Sequence, residues 1–310
     1  MNMRAIIGAA AVALLAFAAG PGCDGEDTGE APRGETSGAP VLRAFVSVPP
    51  QAYLARKVGG NRVAVEIMVP PGRSPATYEP KPSQMAALDG AEVYFRVGVP
   101  FEEGFVDELG SSHPDLRVVD TTQGLELRPL EGHDHGDGHS HGPGHDPHAW
   151  LDPELAIAQG EAMTQALAEI DPEGASTYDS GMDRLRAELE RTDAEIREML
   201  TPVKGARFHV FHPAFGYFAE AYGLEQVAIE VEGKEPSPRQ VAEIIEQAEA
   251  DGAQVIFVQP QFATSSAEAI AREVGAEVVT LDPLAEDLPS NLMDMAVAIR
   301  SAIVPTQGGE

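Results

Sequence analysis

From Ala175 to Leu200 the chain carries one unbroken helical pattern, with Met182, Leu185, Leu189, Ile196 and Leu200 on one side and charged residues on the others. Such a helix buries one stripe and leaves the rest in water along its whole length. On both sides of it, short apolar runs alternate with helical patterns. The runs before it predict strands at Leu42–Val48, Arg62–Val69, Ala91–Val97 and Leu116–Asp120, with helices at Gln51–Val58, Ser83–Leu88, Phe101–Leu109 and Pro153–Ile170. After it, strands are predicted at Phe208–Phe211, Gln226–Val231, Gln254–Val258 and Glu277–Thr280, with helices at Phe215–Tyr222, Pro238–Asp251, Ser266–Val274 and Asn291–Ile303. Strand–helix alternation of this kind predicts an α/β fold with mainly parallel sheets flanked by helices. The simplest arrangement is two lobes, 41–172 and 203–310, joined by one long helix within 173–202, with a cleft between them. In open α/β sheets, ligands sit beyond the carboxyl ends of the strands.

The first forty residues do not read as part of that fold. Arg4 precedes the apolar run Ala5 to Ala19, which is short for a membrane span and suits a signal peptide over 1–22. The chain's one cysteine, Cys23, closes the segment AAGPGC, which resembles a bacterial lipoprotein signal with an imperfect Pro21; lipidation of Cys23 is expected. The alternative is a secreted protein with a leftover thiol. Residues 23–40 are acidic and rich in Gly and Pro, as in a disordered tether. A single cysteine excludes an intrachain disulfide, and the formal charge of −29 argues against nucleic acid.

Six of nine histidines lie between Gly132 and His148, in GHDHGDGHSHGPGHDPH. His133, His135, His139, His141 and His145 alternate with Gly, Asp and Ser, the composition of a flexible loop (132–147) that binds divalent transition metals. A solvated loop without that role is the alternative. His148 differs, standing beside Trp150 and Leu151 between two prolines. His212 follows a strand in FHVFHPAFGYF, and Asp282 follows another in TLDPL. Imidazole nitrogen and carboxylate oxygen both ligate zinc, and these three residues come from three loops of two lobes. Taken singly, a histidine near an apolar strand is more often a satisfied core or cleft side chain than a ligand. His209, flanked by Phe208 and Val210 with Phe211 beyond, reads as core, and His113, in an SSHP turn, as surface.

From about Val41 onward the chain resembles the substrate-binding lipoproteins of bacterial zinc/manganese ABC transporters, carrying in order VPPGRSPATYEPKPSQM, DPHAWLDP, FHPAFGYFAEAYGL, EGKEPSPRQ, VQPQF and LDPL. The resemblance implies two lobes on a rigid connecting helix, metal ligation by His148, His212 and Asp282, and Zn²⁺ as the ion, with Mn²⁺ as the alternative. A histidine rather than a glutamate at 212 is similar to the zinc receptors, some of which also carry a His-rich loop. It further implies a permease partner, work as a monomer, and a lipid-anchored place at the periplasmic or extracytoplasmic face. One position departs: where the family has a first histidine ligand in SPHxYEP, this chain has Ala76, and a methyl group cannot coordinate. The vacant place falls to water, to Glu79 or to a loop histidine.

Three ligands with an open position is also the layout of catalytic zinc. A zinc-dependent hydrolase is disfavoured by the lack of an HExxH motif, Glu79 being the one nameable base. A metal-binding adhesin, or a metal-independent surface lipoprotein, is the remaining alternative. The expectation is a binding protein and not an enzyme.

Overall fold

The computed structural model describes residues 41–129, 144–230, 236–263 and 265–304. The expected signal peptide, Cys23 and acidic tether, and the loop histidines His133, His135, His139 and His141, lie outside the described residues.

The first half contains β1 (Leu42–Val46), α1 (Pro49–Gly59), β2 (Val63–Ile67), α2 (Pro82–Leu88), β3 (Val93–Arg96), α3 (Glu102–Ser112), β4 (Arg117–Asp120) and α4 (Pro153–Ile170). Then come α5 (Ala175–Leu200), β5 (Arg207–Val210), α6 (Gly216–Tyr222), β6 (Glu225–Ala228), α7 (Pro238–Asp251), β7 (Val255–Val258), α8 (Ser265–Val274), β8 (Glu277–Thr280) and α9 (Leu288–Ile303). Two four-stranded sheets result, ordered β2-β1-β3-β4 and β6-β5-β7-β8, and every strand pair is parallel. The same order in both halves puts a topological switch between β1 and β3 and another between β5 and β7, each an opening for a ligand at the carboxyl edge.

Successive strand residues face opposite sides of a sheet, and the cores follow that rule. Ala44, Val46, Val93 and Phe95 join a cluster that continues through α1, α4 and α5 to Phe208, Val210 and Phe257 of the second sheet and to α9. Their alternates, Phe45 and Tyr94, pack outward with α2 and α3. On the second sheet, Ile256 and Val258 pack outward with α7 and α8. The two lobes therefore share one core, with α5 as its spine: Met182, Leu185, Leu189, Ile196 and Leu200 are all buried.

Close approach along that spine depends on missing side chains. At Gly160 of α4, a Cβ would lie 2.9 Å from Leu185 of α5. At Gly181 it would lie 2.3 Å from the Val58 carbonyl oxygen and 2.7 Å from that of Lys57. Backbone cannot rotate away as a side chain can, so Gly181→Ala must push α5 off α1. Overpacking of this kind costs about 1–3 kcal/mol, and a thermal melt should show Tm lowered by about 3–10 °C. An unchanged Tm would mean that the helices separate without cost.

Helix starts are set by local caps. The Asp152 carboxylate accepts from the backbone N–H groups of Glu154 and Leu155, with Pro153 in the first turn. Ser237 and Gln240 form a reciprocal capping box at α7, so SPRQ in the motif EGKEPSPRQ is a helix start. Sequence and structure differ most at α3, which begins at Glu102 and breaks from helical geometry at Glu103 and Gly104. Glu102 is buried there, its carboxylate accepting from the N–H groups of Val97 and Gly98 and from the Ser47 hydroxyl. Burial pushes that carboxyl above its ordinary range, and the three donors oppose the shift.

Candidate metal centre

His148 is placed by the turn that starts α4. Ala149–Leu151 forms one turn of 3₁₀-helix, and Ala149, Trp150 and Leu151 are buried, so the residue before them is fixed at the edge of the core. His212 directly follows Phe211 at the carboxyl end of β5. Its backbone is clamped from β7: the His212 N–H donates to Gln259 Oε1 (3.1 Å), and Gln259 Nε2 donates to the His212 carbonyl (3.0 Å). These two placements bring the imidazoles together, with ring centroids 5.5 Å apart and planes at 71°.

Each ring is oriented by a carboxylate. His148 Nδ1 lies 2.7 Å from Asp146 Oδ1, which also accepts the His148 backbone N–H at 3.0 Å. His212 Nδ1 lies 2.6 Å from Glu230 Oε1. The Asp146 and Glu230 side chains are only 3% and 4% exposed. An ionised carboxylate only accepts, so the hydrogen of each neutral ring belongs on Nδ1 and the lone pair on Nε2. That is the second layer found behind metal-bound histidines, where a carboxylate fixes the tautomer and raises ligand basicity. The rings remain 12% and 21% exposed, which leaves a route for an ion.

Neither carboxylate is evident from sequence, although each had a local signal. Asp146 stands two residues before His148. Glu230 continues β6 beside β5, with its N–H on the Phe211 carbonyl at 3.0 Å. Packing around the pair is aromatic: Phe262 lies 4.7 Å from the His212 ring and Trp150 5.3 Å from the His148 ring.

Asp282 follows β8 in the neighbouring loop. Its Oδ1 accepts from Gln261 Nε2 (2.6 Å) and from the Leu284 N–H (2.9 Å). The loop is tied to the His148 turn by Trp150, whose indole N–H donates to the Pro283 carbonyl at 2.8 Å. Among the described residues, no three His, Cys, Asp or Glu side chains are grouped to hold a metal. What the fold gathers is the imidazole pair, with Asp282 held by its own partners. Ala76 and Glu79 are exposed in and after the turn Pro75–Thr77, and His145 is exposed.

His209 is buried, as expected of a core residue, 3.2 Å from Asp251, and burial lowers its pKa. It lines a cavity of about 240 Å³ with Arg207 and Phe208 at the other end of the second sheet. His113 corrects the surface expectation. Its side chain is 9% exposed because Nδ1 meets the Ser112 hydroxyl (2.7 Å) and Nε2 faces Asp89 (3.2 Å).

The chain is similar to known proteins over most of its length. Residues 45–303 match the family ZnuA, zinc-uptake complex component A, periplasmic. The chain is 28% identical over 271 residues to the manganese-binding lipoprotein MntA of Halalkalibacterium halodurans, covering 86% of this chain and 84% of that one. It is 30% identical over 249 residues to the high-affinity zinc uptake system protein ZnuA of Paracoccus denitrificans, covering 71% and 76%. A crystal structure of a ZnuA deletion mutant with zinc bound superposes with a TM-score of 0.80 at 39% identity, over 86% of this chain and 99% of that one. With more than half its length matched and both sheets shared, the chain belongs to the family of periplasmic zinc-uptake components.

Proposed function

We propose that this chain is an extracytoplasmic receptor that captures Zn²⁺ between His148 and His212, completes the site with Asp282, and delivers the ion to the permease of an ABC transporter. The observation that carries the reading is the imidazole pair 5.5 Å apart, each ring backed by a buried carboxylate. Two nitrogen donors favour zinc over manganese, which prefers oxygen. Capture needs no bond chemistry: the carboxylates at Nδ1 leave each Nε2 lone pair for the ion, which competes with Gln261 for the Asp282 carboxylate. Lipidation at Cys23 would anchor the receptor at the membrane, with residues 23–40 as its tether. Water, Glu79 or a loop histidine would supply the place left by Ala76.

Metal-free protein titrated with Zn²⁺ should bind one ion tightly and gain stability as RT ln(1 + [L]/Kd), about 4 kcal/mol at a thousand-fold excess over Kd. Tm should rise by about 10 °C, and by less with Mn²⁺. No thermal shift with either ion would overturn the reading and leave a metal-independent surface role.

A further inference from the structure

We infer that Tyr217 is a positioning residue for ion capture: its hydroxyl fixes the backbone on both sides of the 130–143 segment and so holds Asp146, the carboxylate that orients His148. The inference rests on His148 being a ligand.

Three stretches of chain meet at that hydroxyl. It accepts the Arg128 backbone N–H at 2.9 Å and donates to the Asp146 carbonyl at 2.9 Å. The Asp146 N–H donates to the Arg128 carbonyl at 2.9 Å, and Pro129 pairs with His145 in an antiparallel bridge. The two ends of the His-rich segment therefore close on each other and on α6, which starts four residues after His212. Tyr217 is buried at 3% exposure, and burial pushes its phenol up to about 12, so it remains a donor through the neutral range. Gly216 allows the approach: a Cβ there would lie 2.8 Å from Arg128 Nε and 3.1 Å from Asp146 Oδ2. The Arg128 guanidinium adds an ion pair to Glu220 of the same helix.

One hydroxyl thus satisfies two main-chain groups separated in sequence from Tyr217 by 89 and 71 residues. Phenylalanine would keep the ring in the core but strand the Arg128 N–H and free the Asp146 carbonyl. Asp146 would then lose one of its main-chain anchors, keeping the bond of its N–H to Arg128 and its bonds to His148, and the His148 ring would be held less firmly in its direction. Loss of an outer partner of a metal-bound histidine costs 10–100-fold in affinity, and for a group one step further out about tenfold is expected.

The test is a double-substitution cycle on the full chain, with Zn²⁺ as the probe. Affinity is read by chelator competition and by the fluorescence of Trp150, the chain's one tryptophan, 5.3 Å from His148. Tyr217→Phe should weaken Zn²⁺ binding about tenfold, and should weaken it no further in an Asp146→Asn background, because both act through the same carboxylate. A Tyr217→Phe protein with lower Tm but unchanged affinity would overturn the inference, as would two effects that multiply. If the unsubstituted chain bound no Zn²⁺, the receptor reading itself would fail and take this inference with it.

Discussion

His148→Ala and His212→Ala should each weaken Zn²⁺ binding by about 100-fold or more, since loss of an outer partner alone costs up to that much. Each substitution removes one of two nitrogen donors, and no other described imidazole meets the pair. Each also takes a partner from a buried carboxylate: Asp146 loses the ring at 2.7 Å while keeping the backbone N–H of residue 148 at 3.0 Å, and Glu230 loses the ring at 2.6 Å. Taking a hydrogen-bond partner from a buried charged group costs about 1–3 kcal/mol, so the metal-free variants should melt lower than the parent as well. The two effects separate cleanly in a melt taken with and without Zn²⁺. The parent gains stability on loading, and the variants start lower and gain less at the same Zn²⁺ concentration. Isothermal titration showing parental affinity in either variant would remove that histidine from the site.

Trp150→Ala should destabilise the metal-free protein by about 3–5 kcal/mol, the usual cost of deleting a large buried aromatic side chain. Trp150 is fully buried, and its indole N–H ties the His148 turn to the Pro283 carbonyl in the other half of the molecule. Removing it opens a cavity beneath His148 and releases the loop that carries Asp282. The expected Tm drop is about 6–20 °C, accompanied by weaker Zn²⁺ binding. Trp150→Phe separates the roles: most of the packing returns but the indole N–H does not. Under this account its stability should recover most of the loss while the affinity stays below that of the parent. Full recovery of both in the Phe variant would show that the bond to Pro283 contributes nothing.

Much of the architecture was legible because it rests on local rules. Pro153–Ile170, Ala175–Leu200 and Pro238–Asp251 are helices with the expected bounds, and Glu277–Thr280 is a strand with its expected bounds. Proline and a capping side chain mark the starts of α4 and α7, and apolar spacing marks α5. Long-range packing blurred the rest. The strand β3 stops at Arg96 although Val97 is apolar, because the backbone there turns to serve the buried Glu102. The last helix begins at Leu288 and not Asn291, since Asp287 accepts from the Ser290 N–H and Pro289 fits its first turn.

The site divides the same way. His148 and His212 stand out through the family motifs DPHAWLDP and FHPAFGYFAEAYGL, since a histidine near an apolar strand is by itself more often a core or cleft side chain. Asp146 and Glu230 do not, in a chain with 50 acidic residues. What distinguishes them is burial against one ring, and burial arises from contacts that sequence spacing does not record. Tyr217 is the extreme case, an aromatic residue of α6 whose role lies in two distant main-chain groups.

The long helix has a consequence for signalling. At 26 residues α5 is a beam of about 39 Å, and its buried stripe lies in the core shared by both sheets. A clam-shell closure would shear that stripe, so the empty and loaded forms should scatter X-rays almost alike. Whatever distinguishes the two forms at a membrane must then feel a handful of rearranged side chains at the rim, not a change of silhouette.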